Sequence, residues 1–374
     1  MKIVYVSDAI YPYNIGGKEK RLYELSTRIA AMGHDVHIYT MHWWKTPETT
    51  RVENGVTLHA ISRYYPMYKA GGDRRSIKEA LLFSLACFKL LGVSFDVLDV
   101  DHMPFFPIYT SWIVCRLRGK KLYGTWHEAL SRKDWVQYMG PAGNIAALIE
   151  RVSLHLPDTI TAASKHTQLQ IKSEFKRTKN VVLVTSGIDI RLIDSLNPAK
   201  IVCDVLYSGR LVKDKNVDKL IRAIGILSRR NPAIRCIIIG HGTERRRLQH
   251  MIQKRKLEPY IQLLSPLQNA EDLYAYMKAS KVFCLPSIRE GFGIVALEAL
   301  GCGTPVVTTN SPANAAKYLI QEGVSGSIVE PLPKYFSRAL GYWTTVDKPK
   351  HIKGKAAAYD WNSLAAIQTQ VYAS

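Results

Sequence analysis

No apolar run in the chain approaches the roughly 20 residues that a membrane-spanning helix needs. The longest candidate, Ala80 to Val93, is interrupted by Lys89 and reads as part of a shorter helix. A CxxC pair is also missing. The six cysteines (Cys87, Cys115, Cys203, Cys236, Cys284, Cys302) are scattered, several inside apolar runs. That pattern argues against a zinc or disulfide framework and for reduced, buried thiols in a cytoplasmic protein. There is no low-complexity tract, no internal repeat beyond two α/β halves, and no acidic cluster of the sort that holds a divalent metal. Acidic residues are scarce: 31 Asp and Glu face 51 Lys and Arg, a formal net charge of +20. Such a balance calls for a polyanionic partner, whether nucleic acid, an anionic membrane surface or a phosphorylated substrate, and does not choose among them.

At 374 residues and 47% hydrophobic content, the chain accommodates two domains of ordinary size. Its opening, MKIVYVSD, reads as a first strand (Ile3 to Ser7) and not as a signal peptide. The loop Asn14-Ile15-Gly16-Gly17 follows, then a helix from Lys18 to Met32 with Leu22, Leu25, Ile29 and Met32 at helical spacing, then a strand at Val36 to Thr40. Strands are also expected at Val97 to Val100 and Lys121 to Trp126, with Phe105 to Leu117 between them, and helices at Ser76 to Leu91 and Gly143 to Leu156. A strand at Asp158 to Ser164 leads into a helix capped by Ser164. The pattern restarts with strands at Val205 to Ser208, Arg235 to Ile239 and Ile261 to Leu264, and a helix at Trp361 to Tyr372 closes the chain.

The most informative stretch is Ser287 to Pro305, SIREGFGIVALEALGCGTP. An apolar strand, Val282 to Leu285, stops at Pro286. Glu290 and Gly291-Phe292-Gly293 follow, then an apolar helix to Leu300 and a β-branched run, Val306 to Thr309. This is a βαβ unit with its glutamates near the strand's carboxyl end, where open parallel sheets bind ligands. A helix starting at Gly293 turns the N–H groups of Gly293, Ile294 and Val295 outward, which favours a phosphate. Glu298, about one and a half turns further in, can accept hydrogen bonds from a diol such as a ribose. Spacing alone fits equally well a helix start with two ordinary solvent-facing glutamates.

The run Glu290, Gly291, Phe292, Gly293, Glu298, Ala299, Gly303, Pro305, Val306, Val307 resembles the E-x7-E signature of the retaining glycosyltransferases of family 4. The resemblance implies the GT-B fold: α/β, two Rossmann-like domains facing across a deep interdomain cleft. It extends over nearly the full chain and is strongest from Tyr207 to Val307. On that basis an N-terminal acceptor-binding domain is expected over 1–197, a nucleotide-sugar-binding domain over 198–355, and a helix crossing back to the first domain over 356–374. Ser186-Gly187-Ile188-Asp189 resembles the family's N-G-V-D turn at the end of the first domain.

The resemblance further implies transfer of a hexosyl group (mannose, glucose or N-acetylglucosamine) from a nucleoside diphosphate sugar to a lipid-linked or glycan hydroxyl. Anomeric configuration is retained, and neither metal nor cofactor is required. Arg210 and Lys215 would grip the diphosphate, and Glu290 would orient the sugar. Gly16, Gly17, Gly240, Gly242, Leu267 and the 291–295 loop would line the donor, Glu298 would hold the ribose, and His127 would approach the transferred sugar. The segment Arg63 to Arg75, where Lys69 and Arg74 mix with tyrosines, suits a membrane headgroup layer as well as a solvated loop. Arg245-Arg246-Arg247 reads as a solvated face. Past Pro305 the chain departs from the family, with Asn310-Ser311-Pro312-Ala313-Asn314 where relatives often show Gly-Gly and a Glu.

Three rivals stand beside this reading. A nicotinamide dehydrogenase would carry G-x-G-x-x-G after its first strand, and Asn14-Ile15-Gly16-Gly17 does not. A sugar-nucleotide epimerase shares the architecture without the glycine–glutamate signature, and a nucleic-acid-binding protein is motivated by charge alone.

Overall fold

The computed structural model describes residues 1–68, 75–173, 175, 176, 180–201, 203–349 and 351–374. Lys69 and Arg74 therefore lie outside the described residues. The chain divides into two compact units, Met1–Ser186 with Trp361–Ser374, and Gly187–Asp360. From sequence the divisions were expected at 197/198 and 355/356.

The first unit carries strands β1 (Lys2–Val6), β2 (Asp35–Met41), β3 (Thr50–Glu53), β4 (Val56–Ser62), β5 (Val97–Asp101), β6 (Leu122–Trp126), β7 (Thr159–Ala162) and β8 (Val181–Leu183). Its helices are α1 (Gly17–Ala31), α2 (Ile77–Ala86), α3 (Phe106–Leu117), α4 (Arg132–Met139), α5 (Gly143–Ser153) and α6 (Lys165–Ser173). The second unit holds α7 (Ile190–Ser195), β9 (Val205–Ser208), α8 (Val217–Leu227), β10 (Cys236–Ile239), α9 (Arg245–Lys254), β11 (Ile261–Leu264) and α10 (Ala270–Ala279). It continues through β12 (Val282–Leu285), α11 (Ile294–Gly301), β13 (Val306–Thr309), β14 (Gly326–Val329), α12 (Pro333–Thr345) and α13 (Ile352–Ala356); α14 (Trp361–Ala373) returns to the first unit.

In the first unit the sheet order is β3-β4-β2-β1-β5-β6-β7-β8. All neighbours are parallel except β3, which pairs antiparallel with β4. β1 sits centrally, Ile3 lying opposite Val36 on one side and Val97 on the other. Both faces are covered, which is why its strands read as continuous apolar runs. On one face pack Phe83 of α2, Ile108 and Val114 of α3 and Ile171 of α6. On the other lie Leu22, Leu25 and Ile29 of α1 with Trp361 and Leu364 of α14. The spacing 22, 25, 29 is a helix stripe; Met32, expected as its last member, is 44% exposed past the helix end.

The second unit has the order β11-β10-β9-β12-β13-β14, all parallel. α8 and α12 cover one face, burying Leu220, Ile224, Phe336 and Trp343, while α10 and α11 cover the other. In both units the jump across the first strand makes a topological switch point, and in open sheets of this kind ligands bind there, at the strands' carboxyl ends.

The helix expected from Ser76 to Leu91 is interrupted: α2 ends at Ala86 and a 3₁₀ turn runs from Cys87 to Gly92. Cys87 and Leu90 are fully buried, so packing sets that tighter turn. Ser76 and Ser164 cap their helices through Glu79 N and Thr167 N. All six cysteines are buried free thiols. Among the described residues, no helix is long and apolar enough to cross a membrane.

Candidate active site

In the second unit, three loops leave the carboxyl ends of β9, β10 and β12. The first two are zipped by backbone hydrogen bonds: Gly209 N donates to Ile239 O (3.1 Å), Leu211 N to His241 O (2.8 Å) and Glu244 N to Leu211 O (2.9 Å). Glycine is required by this close approach. A Cβ at Gly240 would stand 2.1 Å from Gly209 O, and one at Gly242 would stand 2.4 Å from Leu211 O. Both glycines, expected to line the donor, are also needed for the packing of their own chain. Arg245 locks the same loops, its Nη1 donating to Gly240 O (2.7 Å) and Leu264 O (2.8 Å). It is therefore not part of a solvated face; Arg247 fits that description and pairs with Glu244.

The third loop carries the glutamate. Ile288 N donates to Asp214 O (3.0 Å), tying it to the first loop. Glu290 is clamped by its backbone, its N donating to Ala313 O (3.0 Å) and its O accepting from Ala315 N (2.9 Å). The clamp is rigid because Asn314 is fully buried, its amide donating to Thr308 Oγ1, Thr309 O and Thr309 Oγ1. The departure from the family pattern thus falls on the segment that holds Glu290. Gly293 has φ +86°, the left-handed region, and a Cβ there would lie 2.6 Å from Ala316 Cβ. α11 starts directly after it, and no side chain caps that start.

Across this loop Lys215 Nζ meets Glu290 Oε1 at 2.6 Å, with side chains only 16% and 11% exposed. Arg210, on the same loop as Lys215, is exposed and has no ion pair among the described residues. Glu298 is buried and accepts from Tyr274 OH at 3.0 Å. Phe292 is buried with its ring 6.1 Å from that of Tyr359, and Leu267, half-buried, packs on the core below α10 and α11. An uncapped helix start, a lysine held in place and an exposed arginine, all on loops at the sheet's carboxyl edge, are each groups that attract anions.

The first unit builds a second cluster at its own carboxyl edge. Lys18, one residue into α1, reaches Asp8 Oδ1 (2.8 Å), Ser7 Oγ (3.1 Å), Met103 O (3.3 Å) and Asp101 Oδ2 (3.4 Å). Arg75 pairs with Asp8 and with Glu79. Arg75, expected in a headgroup-facing stretch, is turned inward. Asp101 Oδ1 lies 2.9 Å from His127 Nε2, and His127 N donates to His102 Nδ1 at 3.3 Å. Burial alone would raise the Asp8 and Asp101 carboxyls; Lys18, with Arg75 at Asp8 and His127 at Asp101, outweighs it and holds both below the usual range. Burial lowers the His127 imidazole, with Asp101 partly opposing it. The ring is neutral near pH 7, its Nε2–H donating to Asp101, which leaves Nδ1 as an acceptor. Gly16 lies in extended backbone, where a Cβ would stand 2.4 Å from Glu19 Oε2, and Gly17 opens α1, exposed.

Residues 15–192 match the family model "Glycosyltransferase Family 4", and residues 195–358 match "Glycosyl transferases group 1". The chain belongs to the family 4 glycosyltransferases. Over its whole length it is 26% identical to the glycogen synthase of Mycobacterium tuberculosis, covering 94% of that protein. Among solved structures it resembles sucrose-phosphate synthase from Thermosynechococcus elongatus (TM-score 0.80, 17% identity, 99% and 98% of the two chains covered). It also resembles HepE from Anabaena, solved in complex with UDP (TM-score 0.74, 16% identity, full coverage of both chains). The fold is GT-B.

In this glycosyltransferase the second unit brings Lys215 and Glu290 into contact and places them in the same unit as the start of α11. Lys18, Asp8 and Asp101 were not singled out from the sequence, and Arg75 was read only as part of the stretch from Arg63 to Arg75. Their one shared signal is position: Asp8 and Asp101 each stand at the end of a strand, and Lys18 follows Gly16-Gly17.

Proposed function

We propose that this glycosyltransferase moves a hexosyl group from a nucleoside diphosphate sugar to an acceptor hydroxyl with retention of anomeric configuration and without a metal ion. The acceptor is a glycan or a lipid-linked sugar, met by a cytoplasmic protein at the inner membrane surface. One observation carries this: the Lys215–Glu290 contact of 2.6 Å in the unit that also supplies the uncapped start of α11. Departure of a nucleoside diphosphate builds negative charge on phosphate oxygens. Lys215, Arg210 and the first amides of α11 are fixed donors for that charge and need no reorganisation during the reaction.

Glu290, with Oε1 engaged by Lys215, orients the transferred sugar through its second oxygen, and Glu298 meets the ribose beside Tyr274. In the first unit, His127, kept neutral by burial and oriented by Asp101, is assigned to the sugar. The oxocarbenium-like transition state is then met on one face, the leaving phosphate taking the acceptor proton. HepE, similar in fold and solved with UDP, supports a nucleoside diphosphate as the donor's leaving group.

The test is a melting-temperature panel with UDP, GDP, ADP and their sugars. One diphosphate at about a hundred times its Kd stabilises by about 2.7 kcal/mol. Arg210→Ala and Glu298→Ala are expected to shrink that shift, and Glu290→Ala to slow turnover. If all three variants bind and turn over like the parent, the assignments fail.

A further inference from the structure

We propose that the outer side of the first unit's helical layer docks on an anionic lipid surface. The proposal deepens the membrane-surface part of the function above and rests on that reading for its purpose, though not for its observations.

α2 turns Ala80, Phe83 and Ser84 into the core and leaves Ile77, Leu81 and Leu85 51%, 44% and 61% exposed. The spacing i, i+4, i+8 puts all three on one stripe. α5 repeats the arrangement: Gly143, Glu150 and Ser153 are buried, while Ile145, Leu148 and Val152 are 65%, 62% and 43% exposed. α3 packs against α2 and is bonded to α5 through Tyr109 OH and Ile149 O (2.7 Å). It too leaves a leucine, Leu117, 71% exposed. α2 and α3 pack on one face of the sheet, and α5 is held beside them through α3 with its apolar stripe in solvent.

The charges on the layer have one sign. Every exposed charged side chain on α2, α3, α4 and α5 is Lys or Arg: Lys78, Arg116, Arg132, Lys133 and Arg151, of which Arg116 is paired with Asp158 at 2.9 Å. The acids are turned in or engaged. Glu79 and Glu150 are buried, and Asp134 closes a capping box with Ser131. An ordinary solvated face mixes signs, and a face for a folded protein partner uses complementary charges to fix register. Leucines and isoleucines among Lys78, Arg132, Lys133 and Arg151, which have no ion pair among the described residues, suit a fluid surface. There the apolar side chains sink about 5–10 Å into the headgroup boundary and the Lys and Arg heads reach anionic lipid.

The experiment is co-sedimentation of the full chain with sucrose-loaded vesicles, phosphatidylglycerol with phosphatidylcholine against phosphatidylcholine alone. The parent should pellet with the anionic vesicles and release as salt is raised. Leu85→Glu/Leu148→Glu should lose roughly tenfold or more in partitioning, and Arg132→Gln/Lys133→Gln about fivefold per cation removed. These positions are exposed, so melting temperature and the diphosphate-induced shift should match the parent in both variants. The proposal is overturned if the parent ignores anionic vesicles, or if the glutamate variant binds them equally well. It is also overturned if light scattering shows a parent dimer that the glutamate variant breaks while neither binds lipid, since a second copy would then cover the face. Absent diphosphate binding in a parent that still pellets would strike the transfer reaction and leave the docking face standing; the converse would strike the face alone.

Discussion

Lys215 and Glu290 can be perturbed separately, and the signs of the effects distinguish structure from function. Their contact is 2.6 Å with side chains 16% and 11% exposed, between a surface pair worth about 0–1 kcal/mol and a buried pair whose breaking costs about 3–5 kcal/mol. Lys215→Met, which strands the carboxylate, should therefore cost about 2–3 kcal/mol, or roughly 4–12 °C in melting temperature. Lys215→Met/Glu290→Gln removes both charges and should recover most of that stability, because no unpaired charge remains.

Diphosphate binding should behave differently. Losing a lysine that meets phosphate removes a charge-assisted hydrogen bond worth about 1.5–3 kcal/mol, or about 10- to 150-fold in Kd, and the double variant should not regain it. Glu290→Gln alone releases Lys215 from its competitor, so diphosphate should bind as tightly as in the parent or a few-fold tighter, while kcat falls about tenfold or more. Calorimetric titration of UDP and GDP, thermal melts and steady-state rates on the four proteins complete the cycle. If the double variant regains diphosphate affinity together with stability, Lys215 serves to neutralise Glu290 and the donor assignment collapses.

Asp101→Asn should leave His127 without its anionic acceptor, lowering kcat about tenfold with little change in donor KM; an unchanged kcat refutes the role given to His127. Gly293→Ala places a Cβ 2.6 Å from Ala316 Cβ at φ +86°, costing about 1–3 kcal/mol or more and weakening diphosphate binding, whereas wild-type melting and binding would show that the loop yields freely. Burial raises the Asp99 carboxyl to about 6, so its protonation favours the folded state. That contribution is complete below about pH 4 and is lost as pH rises through about 6. The stability of the parent relative to Asp99→Asn should therefore fall by about 2–3 kcal/mol across that window, and a flat difference in melts from pH 4 to 7 refutes it.

How much of this was legible in the sequence depended on how far apart the partners lie along the chain. Glu290, Gly293 and Glu298 sit in one βαβ unit, and each does its work through local geometry that a linear pattern encodes. The first unit's cluster draws Asp8, Lys18, Arg75, Asp101 and His127 from five separated segments, so no spacing rule connects them and only His127 was singled out. Arg75 was misjudged for the same reason: beside tyrosines it resembles an interfacial cation, and only Asp8, brought in by β1, turns it inward. Gly240 and Gly242 carry a further requirement, set by segments that are distant in sequence. A Cβ on either would run into Gly209 O or Leu211 O, a constraint that the linear pattern does not display. The β3–β4 hairpin did leave a signal, since Asn54-Gly55, with φ +50° and +79°, is the dipeptide that favours a tight hairpin turn.

The net charge of +20 cannot be treated as one property once these positions are known. Lys18 and Arg75 are consumed inside the first unit by Asp8, Asp101 and Glu79, so they hold loops in place and contribute little field outside. Lys215 is held by a single carboxylate, which a diphosphate can outcompete because it offers more oxygens and more charge. Arg210 and the outward cations of α2, α4 and α5 have no acid set against them among the described residues. A polyanion should therefore feel two separate surfaces, one sized for a diphosphate and one for a lipid layer. Salt should then weaken vesicle binding steeply and diphosphate binding only mildly, because screening acts most on exposed charges and least on a lysine that is 16% exposed. Equal salt slopes for the two ligands would mean that a single diffuse field accounts for both.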